Sequence, residues 1–176
     1  KGQIPVQKNK TYRITARDLS GDGHGIGSVE NFTVFCPGLL PGETGVVLII
    51  KVSPAYAVGK LLSLENASAN RRVKSCPVYT KCGGCTFGHM SYDAQTAWKE
   101  KHVHDCLERI GGITEYQRDP ILQAKNPLFY RNKVQYRLGL VEDRIKCGFY
   151  RPRSHDLVPA ETCEIENPAV SPIREF

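Results

Sequence analysis

Cys76, Cys82 and Cys85 stand together in the stretch Ser75-Cys76-Pro77-Val78-Tyr79-Thr80-Lys81-Cys82-Gly83-Gly84-Cys85, with five residues between the first two thiols and two between the last two. That spacing lets one loop bring three thiolates to a common centre. Pro77 stiffens the entry, and Gly83 and Gly84 are expected to supply a tight turn with positive φ between the last two thiols. A metal ion or an iron–sulfur cluster is the natural occupant. Tetrahedral zinc and iron–sulfur clusters both take four protein ligands, so the loop is one short. Cys163 can complete either kind of centre, and His89, soon after Cys85, can complete a zinc site. The competing explanation, a disulfide framework, fits poorly. Seven cysteines are an odd number and no secretory leader is evident, which points to reduced thiols in the cytoplasm.

The remainder of the chain must position that loop. Its 176 residues suffice for one or two domains, and 40% hydrophobic with 24% charged residues is the balance of a globular protein. Apolar runs such as 46–50 are far too short for a membrane-spanning helix. The net charge of +6 is concentrated: between residues 125 and 153, eight Lys and Arg face only Glu142 and Asp143. Such a patch suits an anionic partner. The chain opens on Lys1 and ends on Ile173-Arg174-Glu175-Phe176, and both ends read as processing boundaries within a longer protein.

Residues 11–66 alternate as β-strands do. Tyr12, Ile14 and Ala16 share a face; Glu30-Asn31 turns a hairpin between 26–29 and 32–35; residues 45–52 and 55–64 read as two further strands, separated from the hairpin by the turn Leu40-Pro41-Gly42-Glu43. Four or five short strands predict a small OB-type barrel over residues 1–68, a fold that removes sheet edges and often binds oligonucleotides. The glycine-laden loop 21–27 resembles a phosphate cradle, but a strand follows it where a dinucleotide fingerprint needs a helix, so it is a turn. Residues 65–74 read as a linker. From 69 to 176 the pattern predicts a small α+β domain. Ser91 caps a helix running to Ile110 and stopped by Gly111-Gly112, with Tyr92, Val103, Leu107 and Ile110 on one face and Cys106 beside them as a core thiol. Trp98 and His102, four residues apart, are expected to pack on the helix flank near the cysteine loop.

Residues 129–138 are then expected to form a strand whose polar face carries Arg131, Lys133, Gln135 and Arg137 opposite Tyr130, Val134 and Tyr136, with 144–150 returning beside it. Aromatic rings interleaved with cations suit single-stranded RNA, where bases stack and phosphates meet positive charge. The RNA-binding candidates are Tyr130, Arg131, Lys133, Arg137, Arg151 and Arg153.

Taken together, the loop 76–85, the helix ending Arg109-Ile110-Gly111-Gly112, the segment Tyr130-Arg131-Asn132-Lys133-Val134-Gln135, and the run Gly148-Phe149-Tyr150-Arg151-Pro152-Arg153-Ser154-His155 leading to Cys163 resemble the N-terminal part of the RumA-like RNA uracil-5-methyltransferase family. The opening barrel resembles that family's TRAM domain, down to Leu40-Pro41-Gly42-Glu43. The resemblance implies a [4Fe–4S] cluster held by Cys76, Cys82, Cys85 and Cys163, acting as a structural staple. It also implies a parent enzyme that transfers a methyl group from S-adenosylmethionine to carbon 5 of uracil, with ribosomal RNA favoured over transfer RNA. In that chemistry an enzyme cysteine adds to carbon 6 and a carboxylate removes the carbon 5 proton. The resemblance places both groups, and the S-adenosylmethionine site, beyond Phe176. Cys36, Cys106 and Cys147 sit at apolar positions and are not candidate nucleophiles, so no catalytic residue is expected here. No obligate protein partner is evident. The alternative reading is a stand-alone RNA-binding or iron–sulfur electron-transfer module.

Overall fold

The computed structural model describes residues 3–174. The chain divides into two compact units, each discontinuous in sequence: one takes in the chain up to Arg72 and then His89–Val103, the other Val73–Gly88 and the chain from His104 on. No helix among the described residues is long and apolar enough to cross a membrane.

The first unit is built on a six-stranded sheet. Its strands are β1 (Thr11–Thr15), β2 (Asp18–Leu19), β3 (Gly25–Val29), β4 (Phe32–Cys36), β5 (Thr44–Val52) and β6 (Tyr56–Asn66), in the spatial order β1-β5-β6-β4-β3-β2. All neighbours are antiparallel except β4 and β6. The β3–β4 hairpin turns on Glu30 and Asn31, both with positive φ (46° and 64°), the conformation whose twist matches that of the flanking strands. The glycine loop is likewise a hairpin turn, between β2 and β3, with Ser20 N–H donating to the His24 carbonyl at 2.8 Å. No helix follows it, as a phosphate cradle would require.

The closed OB-type barrel expected from the sequence is not what the strand ladder gives. Residues 11–19 run as one stretch that changes partners: β1 bonds to β5, whereas Arg17 N–H donates to Ile26 at 2.8 Å and β2 bonds to β3. The two ends of the sheet are therefore neighbours in sequence, yet β1 and β2 do not pair with each other and the ladder stays open. Alternation still sorts the side chains. Val6, Ile14, Ala16, Val34, Cys36, Leu39, Val47, Ile49 and Ala57 form the buried core, each under a tenth exposed. Burial pushes the Cys36 thiol up to about 12, so it behaves as a small hydrophobe.

Glu43, at the end of the Leu40-Pro41-Gly42-Glu43 turn, is wholly buried. Gly42 takes φ +83°, which aims the next residue inward. The Glu43 carboxylate accepts from Leu40 N–H (2.8 Å), Ser68 N–H (3.1 Å), and Arg71 Nε (2.5 Å) and Nη2 (2.6 Å), while the same Nη2 also donates to the Gly38 carbonyl (2.6 Å). The segment 65–74, expected as a plain linker, is thus anchored by a bidentate ion pair. Beyond it the chain pairs with its own return: Arg71 bridges Met90, Arg72 N–H donates to the His89 carbonyl (3.0 Å), and Ser91 N–H donates to Asn70 (2.7 Å).

Ser91 caps α1 (Tyr92–Asp105) through Oγ, which accepts from Ala94 N–H at 3.4 Å. Cys106–Ile110 then widen into a π-helical turn that ends at Gly111, with Gly112 at φ +66°. The expected apolar stripe is not buried: Val103 is 56% and Ile110 83% exposed, and the buried residues of α1 are Ala94 and Thr96. Trp98 and His102 stack with ring centroids 5.1 Å apart, and the His102 ring lies against Gly21 within the first unit.

In the second unit, β7 (Arg137–Val141), β8 (Arg144–Tyr150) and β9 (Leu157–Pro159) form an antiparallel sheet, with Glu142 and Asp143 turning the first hairpin at φ 52° and 58°. The expected strand over 129–138 exists only from Arg137. Phe129 takes φ 58°, a conformation uncommon for a bulky residue, and Arg131 bridges Glu166 instead, so the chain bends before it reaches the sheet.

If the Glu43–Arg71 pair fixes the first unit, Glu43→Gln, which keeps the shape and leaves the guanidinium uncompensated, should cost about 3–5 kcal/mol in urea unfolding. Burial alone would push the Glu43 carboxyl up, but the Arg71 guanidinium and the amides of Leu40 and Ser68 outweigh it and hold it below the ordinary range. Its contribution is therefore full above the unfolded value of about 4.3 and is lost as pH falls through the lower folded value. Wild type should accordingly show an acid-limb loss of stability that Glu43→Gln lacks.

Candidate thiol centre and nucleic-acid face

The cysteine loop is ordered by short backbone bonds. Tyr79 N–H donates to Cys76 (3.3 Å), and Lys81 and Cys82 N–H both donate to Val78 (3.0 and 2.8 Å), which winds Cys76–Cys82 into a single turn. Tyr79, which the sequence reading left unassigned, is the loop's inner post. Its hydroxyl donates to Thr86 (3.0 Å), the Lys74 ammonium lies 3.9 Å from its ring centroid, and any side chain at Gly88 would meet its ring at 2.3 Å.

Gly83 and Gly84 serve differently from the expectation. Neither is among the residues with positive φ. Their value is close approach. Gly83 N–H donates to Tyr150 (3.3 Å) and a Cβ there would press on Pro152 at 3.3 Å; Gly84 N–H donates to Cys82 Sγ (3.3 Å) and a Cβ there would sit 3.3 Å from that sulfur. An amide aimed at a sulfur stabilises its thiolate.

Four thiols come within electrostatic reach of one another. Burial is the main cause raising the Cys82 thiol; the Gly84 amide opposes it, Cys76 and Cys163 add to it, and Arg131 lowers it. For Cys85, burial again leads, followed by Cys163 and Cys82; Arg131 opposes and Cys76 adds, and the thiol is pushed up to about 11. Cys163 is thus brought to the loop 76–85, as the fourth sulfur of the set. None of the seven cysteines is in a disulfide. Among the described residues, no three His, Cys, Asp or Glu side chains stand in the geometry of one bound metal ion. Thiolates, were these four to act as ligands, suit iron–sulfur clusters or zinc rather than hard cations such as magnesium and calcium.

Cys163 is held by the turn that follows it. Glu166 N–H donates to Cys163 (3.2 Å), and residues 129–131 lie along 164–167 through Phe129 N–H to Glu164 (2.9 Å), Arg131 N–H to Ile165 (2.8 Å) and Asn167 N–H to Arg131 (2.8 Å). Glu166 is buried and accepts from the Tyr136 hydroxyl. No periodicity announces this parallel bridge, because its partners are 35 residues apart and each contributes a single residue.

Of the RNA-binding candidates, Tyr130, Lys133, Arg137, Arg151 and Arg153 are exposed and Arg131 is half-buried. Arg137 lies over the Tyr150 ring, 5.4 Å from its centroid, and Arg151 N–H donates to Asp156 (3.0 Å). Arg131, Lys133 and Arg137 are not one face of one strand, as the sequence suggested: the first two lie in an irregular segment and Arg137 begins β7, while Arg151 and Arg153 follow β8.

Comparison with known proteins places this arrangement. Residues 5–62 match the TRAM domain model. A Clostridium tetani protein named as an uncharacterized RNA methyltransferase is 45% identical over 167 residues, 95% of this chain and 36% of that protein. A Bacillus cereus protein of the same name is 41% identical over 162 residues, 92% of this chain and 35% of its own length. This chain is similar to these RNA methyltransferases along nearly its whole length. It spans about a third of the length of the curated relatives it matches. In fold it is similar to the Pyrococcus abyssi tRNA (uracil-54, C5)-methyltransferase solved with S-adenosyl-L-homocysteine, at a TM-score of 0.60 and 24% identity, covering 93% of this chain and 35% of that one.

The thiol environments give a direct check on the metal-free chain. A raised thiol value favours the neutral form, so alkylation of Cys85 by iodoacetamide should rise with a midpoint near pH 11, where an ordinary thiol reacts with a midpoint of about 8.5. Cys36 should resist labelling until denaturant is added. Mass spectrometry of the labelled peptides reads both, and a Cys85 midpoint near the ordinary value would contradict the buried, thiol-crowded setting.

Proposed function

We propose that this chain is the RNA-recognising, cluster-carrying segment of an S-adenosylmethionine-dependent RNA methyltransferase that forms 5-methyluridine, with ribosomal RNA as the parent enzyme's substrate. The observation that carries the reading is similarity to RNA methyltransferases along 95% of the chain, TRAM domain included. Uracil carbon 5 as the methylated atom is supported by the sequence resemblance and by the fold neighbour's named activity on tRNA. The resemblance favours ribosomal RNA where that neighbour acts on tRNA, and binding competition between the two RNAs decides between them.

In this reading Cys76, Cys82, Cys85 and Cys163 hold a [4Fe–4S] cluster. The convergence of four sulfurs supports it. The cluster staples residues 76–85 to the Cys163 turn in a unit whose sheet has only three strands. The TRAM-bearing unit presents one RNA-binding surface, and Tyr130, Lys133, Arg137, Arg151 and Arg153 supply a second one. When bound, S-adenosylmethionine supplies the methyl group, and its site and the catalytic residues belong to the parent enzyme's remaining length. Reduced thiols accord with a cytoplasmic setting.

Two measurements test the proposal. Anaerobically prepared chain should contain about four irons and four acid-labile sulfides with broad absorption near about 400 nm; Cys163→Ser should abolish this and Cys106→Ser should not. Stoichiometric zinc without sulfide would overturn the cluster. For RNA, the combined variant Lys133→Ala, Arg151→Ala and Arg153→Ala should lower the slope of log K against log salt by about 2 on single-stranded RNA, since each lost phosphate contact removes about 0.7. Lys8→Ala with Lys10→Ala reports on the first unit for comparison. An unchanged slope in the triple variant would remove RNA recognition from the second unit.

A further inference from the structure

We infer that one face of the β7–β8 hairpin binds single-stranded RNA, with Tyr150 and the Arg137 guanidinium packed on its ring forming a platform for an unpaired base while Arg144 and Lys146 meet phosphates. This rests on the second unit's part in RNA recognition proposed above. It goes further by naming the surface, since Tyr150, Arg144 and Lys146 lie outside the residues read as RNA-binding from the sequence.

The strand register places these side chains together. β7 and β8 pair Arg137 with Gly148, Gly139 with Lys146 and Val141 with Arg144, and cross-strand partners share a face with every second residue along each strand. Arg137, Arg144, Lys146 and Tyr150 therefore stand on one side, and Leu138, Leu140, Ile145 and Cys147 on the other. Two contacts agree with that assignment. The Arg137 guanidinium lies over the Tyr150 ring, 5.4 Å from its centroid, and a Cβ at Gly139 would meet the side chain of Leu157, the partner of Tyr150 in β9, at 3.1 Å. Arg137, Arg144 and Tyr150 are exposed and Lys146 is half-buried.

The charge on this face has no internal counterpart. Arg13 and Arg118 are held by Glu65 and Glu108, whereas none of Arg137, Arg144 and Lys146 is in an ion pair among the described residues. The acidic residues nearest in sequence, Glu142 and Asp143, form the hairpin tip. Tyr150, in turn, is fixed before any ligand arrives. Gly83 N–H donates to its carbonyl (3.3 Å), and the His155 ring meets its own at 82° with centroids 5.3 Å apart. The turn that carries His155 is closed by Arg151 N–H to Asp156 (3.0 Å) and Asp156 N–H to Ser154 Oγ (3.1 Å). A ring already held in place loses little freedom on binding. Unpaired bases stack on aromatic rings and on guanidinium planes alike, and cations beside them neutralise the phosphates between. From Arg144 to Tyr150 the strand offers a track about 20 Å long with one cation or ring at most alternate positions.

The test uses the whole chain at matched iron content and a fluorescein-labelled oligouridylate, with affinity measured across salt. Arg144→Ala with Lys146→Ala should lower the slope of log K against log salt by about 1.4, two phosphate contacts at about 0.7 each. Tyr150→Ala should leave that slope unchanged and weaken binding by about tenfold, within the range that loss of one stacking ring produces. Tyr150→Phe keeps the ring and should match wild type. Ile145→Gln, between the two cations but on the other face, should change neither quantity, and Arg109→Ala with Lys125→Ala, which removes equal charge outside the sheet, should leave the slope unchanged. Irradiation of wild type with a 5-iodouridine-substituted oligouridylate should cross-link the peptide that holds Tyr150, a readout that needs no variant to fold. The inference is overturned if the Arg144 and Lys146 pair behaves like the Arg109 and Lys125 pair, if folded Tyr150→Ala binds like wild type, or if the cross-link falls elsewhere. RNA recognition by the second unit then stands on the variant of Lys133, Arg151 and Arg153 alone. If wild type does not bind the oligonucleotide, that reading and this inference fall together.

Discussion

The ion pair between Glu43 and Arg71 is the constraint on which the first unit depends. A carboxylate with no exposed surface is tolerable only when its oxygens are satisfied, and here two backbone amides and a two-pronged guanidinium do so. The pair does more than neutralise charge. It locks the turn entering β5, reaches the Gly38 carbonyl in the loop leaving β4, and fastens the segment after β6. An apolar pair of equal volume could fill the space but could not specify the register of three separate backbone segments at once. The antiparallel contact of 70–72 with 89–91 follows directly, and with it the point where the chain leaves this unit and returns.

Within the second unit the organising demand is convergence of sulfurs that are distant in sequence. Three are local to one loop, shaped by the turn 76–82, by the Tyr79 ring and by glycines whose missing side chains let amides approach Tyr150 and a sulfur. The fourth arrives with the Cys163 turn, which is aligned by residues 129–131. A segment that reads as a regular basic strand is instead divided: residues 129–131 pair with the turn after Cys163, and only from Arg137 does the chain join a sheet.

How much of this was legible in the sequence depended on whether the signal was local. The Glu30-Asn31 and Glu142-Asp143 turns, the Ser91 cap and the Gly111-Gly112 stop all act over a few residues, and each is found at its expected place. The core of the first unit followed from alternation, since burial on one face of a strand imposes period two. The helix face was misjudged: Val103, in regular α-helix, and Ile110, in the π-helical turn, are both exposed, while the small residues Ala94 and Thr96 are buried. The closed barrel was inferred from strand number alone, which does not reveal that residues 11–19 pair on one side and then the other without closing the ladder.

By itself, then, the sequence determined the strands of the first unit other than β2, which was read as loop, the thiol-rich loop, and the excess of cations between residues 125 and 153, because periodicity, turn chemistry and composition are properties of neighbouring residues. Tertiary structure alone decided that Glu43 and Arg71 form a buried pair 28 residues apart, and that residues 129–131 lie along 164–167 rather than in a regular strand. The physical reason is common to both. Each joins groups distant in sequence, and no pattern of adjacent residues records which of them lose water together once the chain has folded.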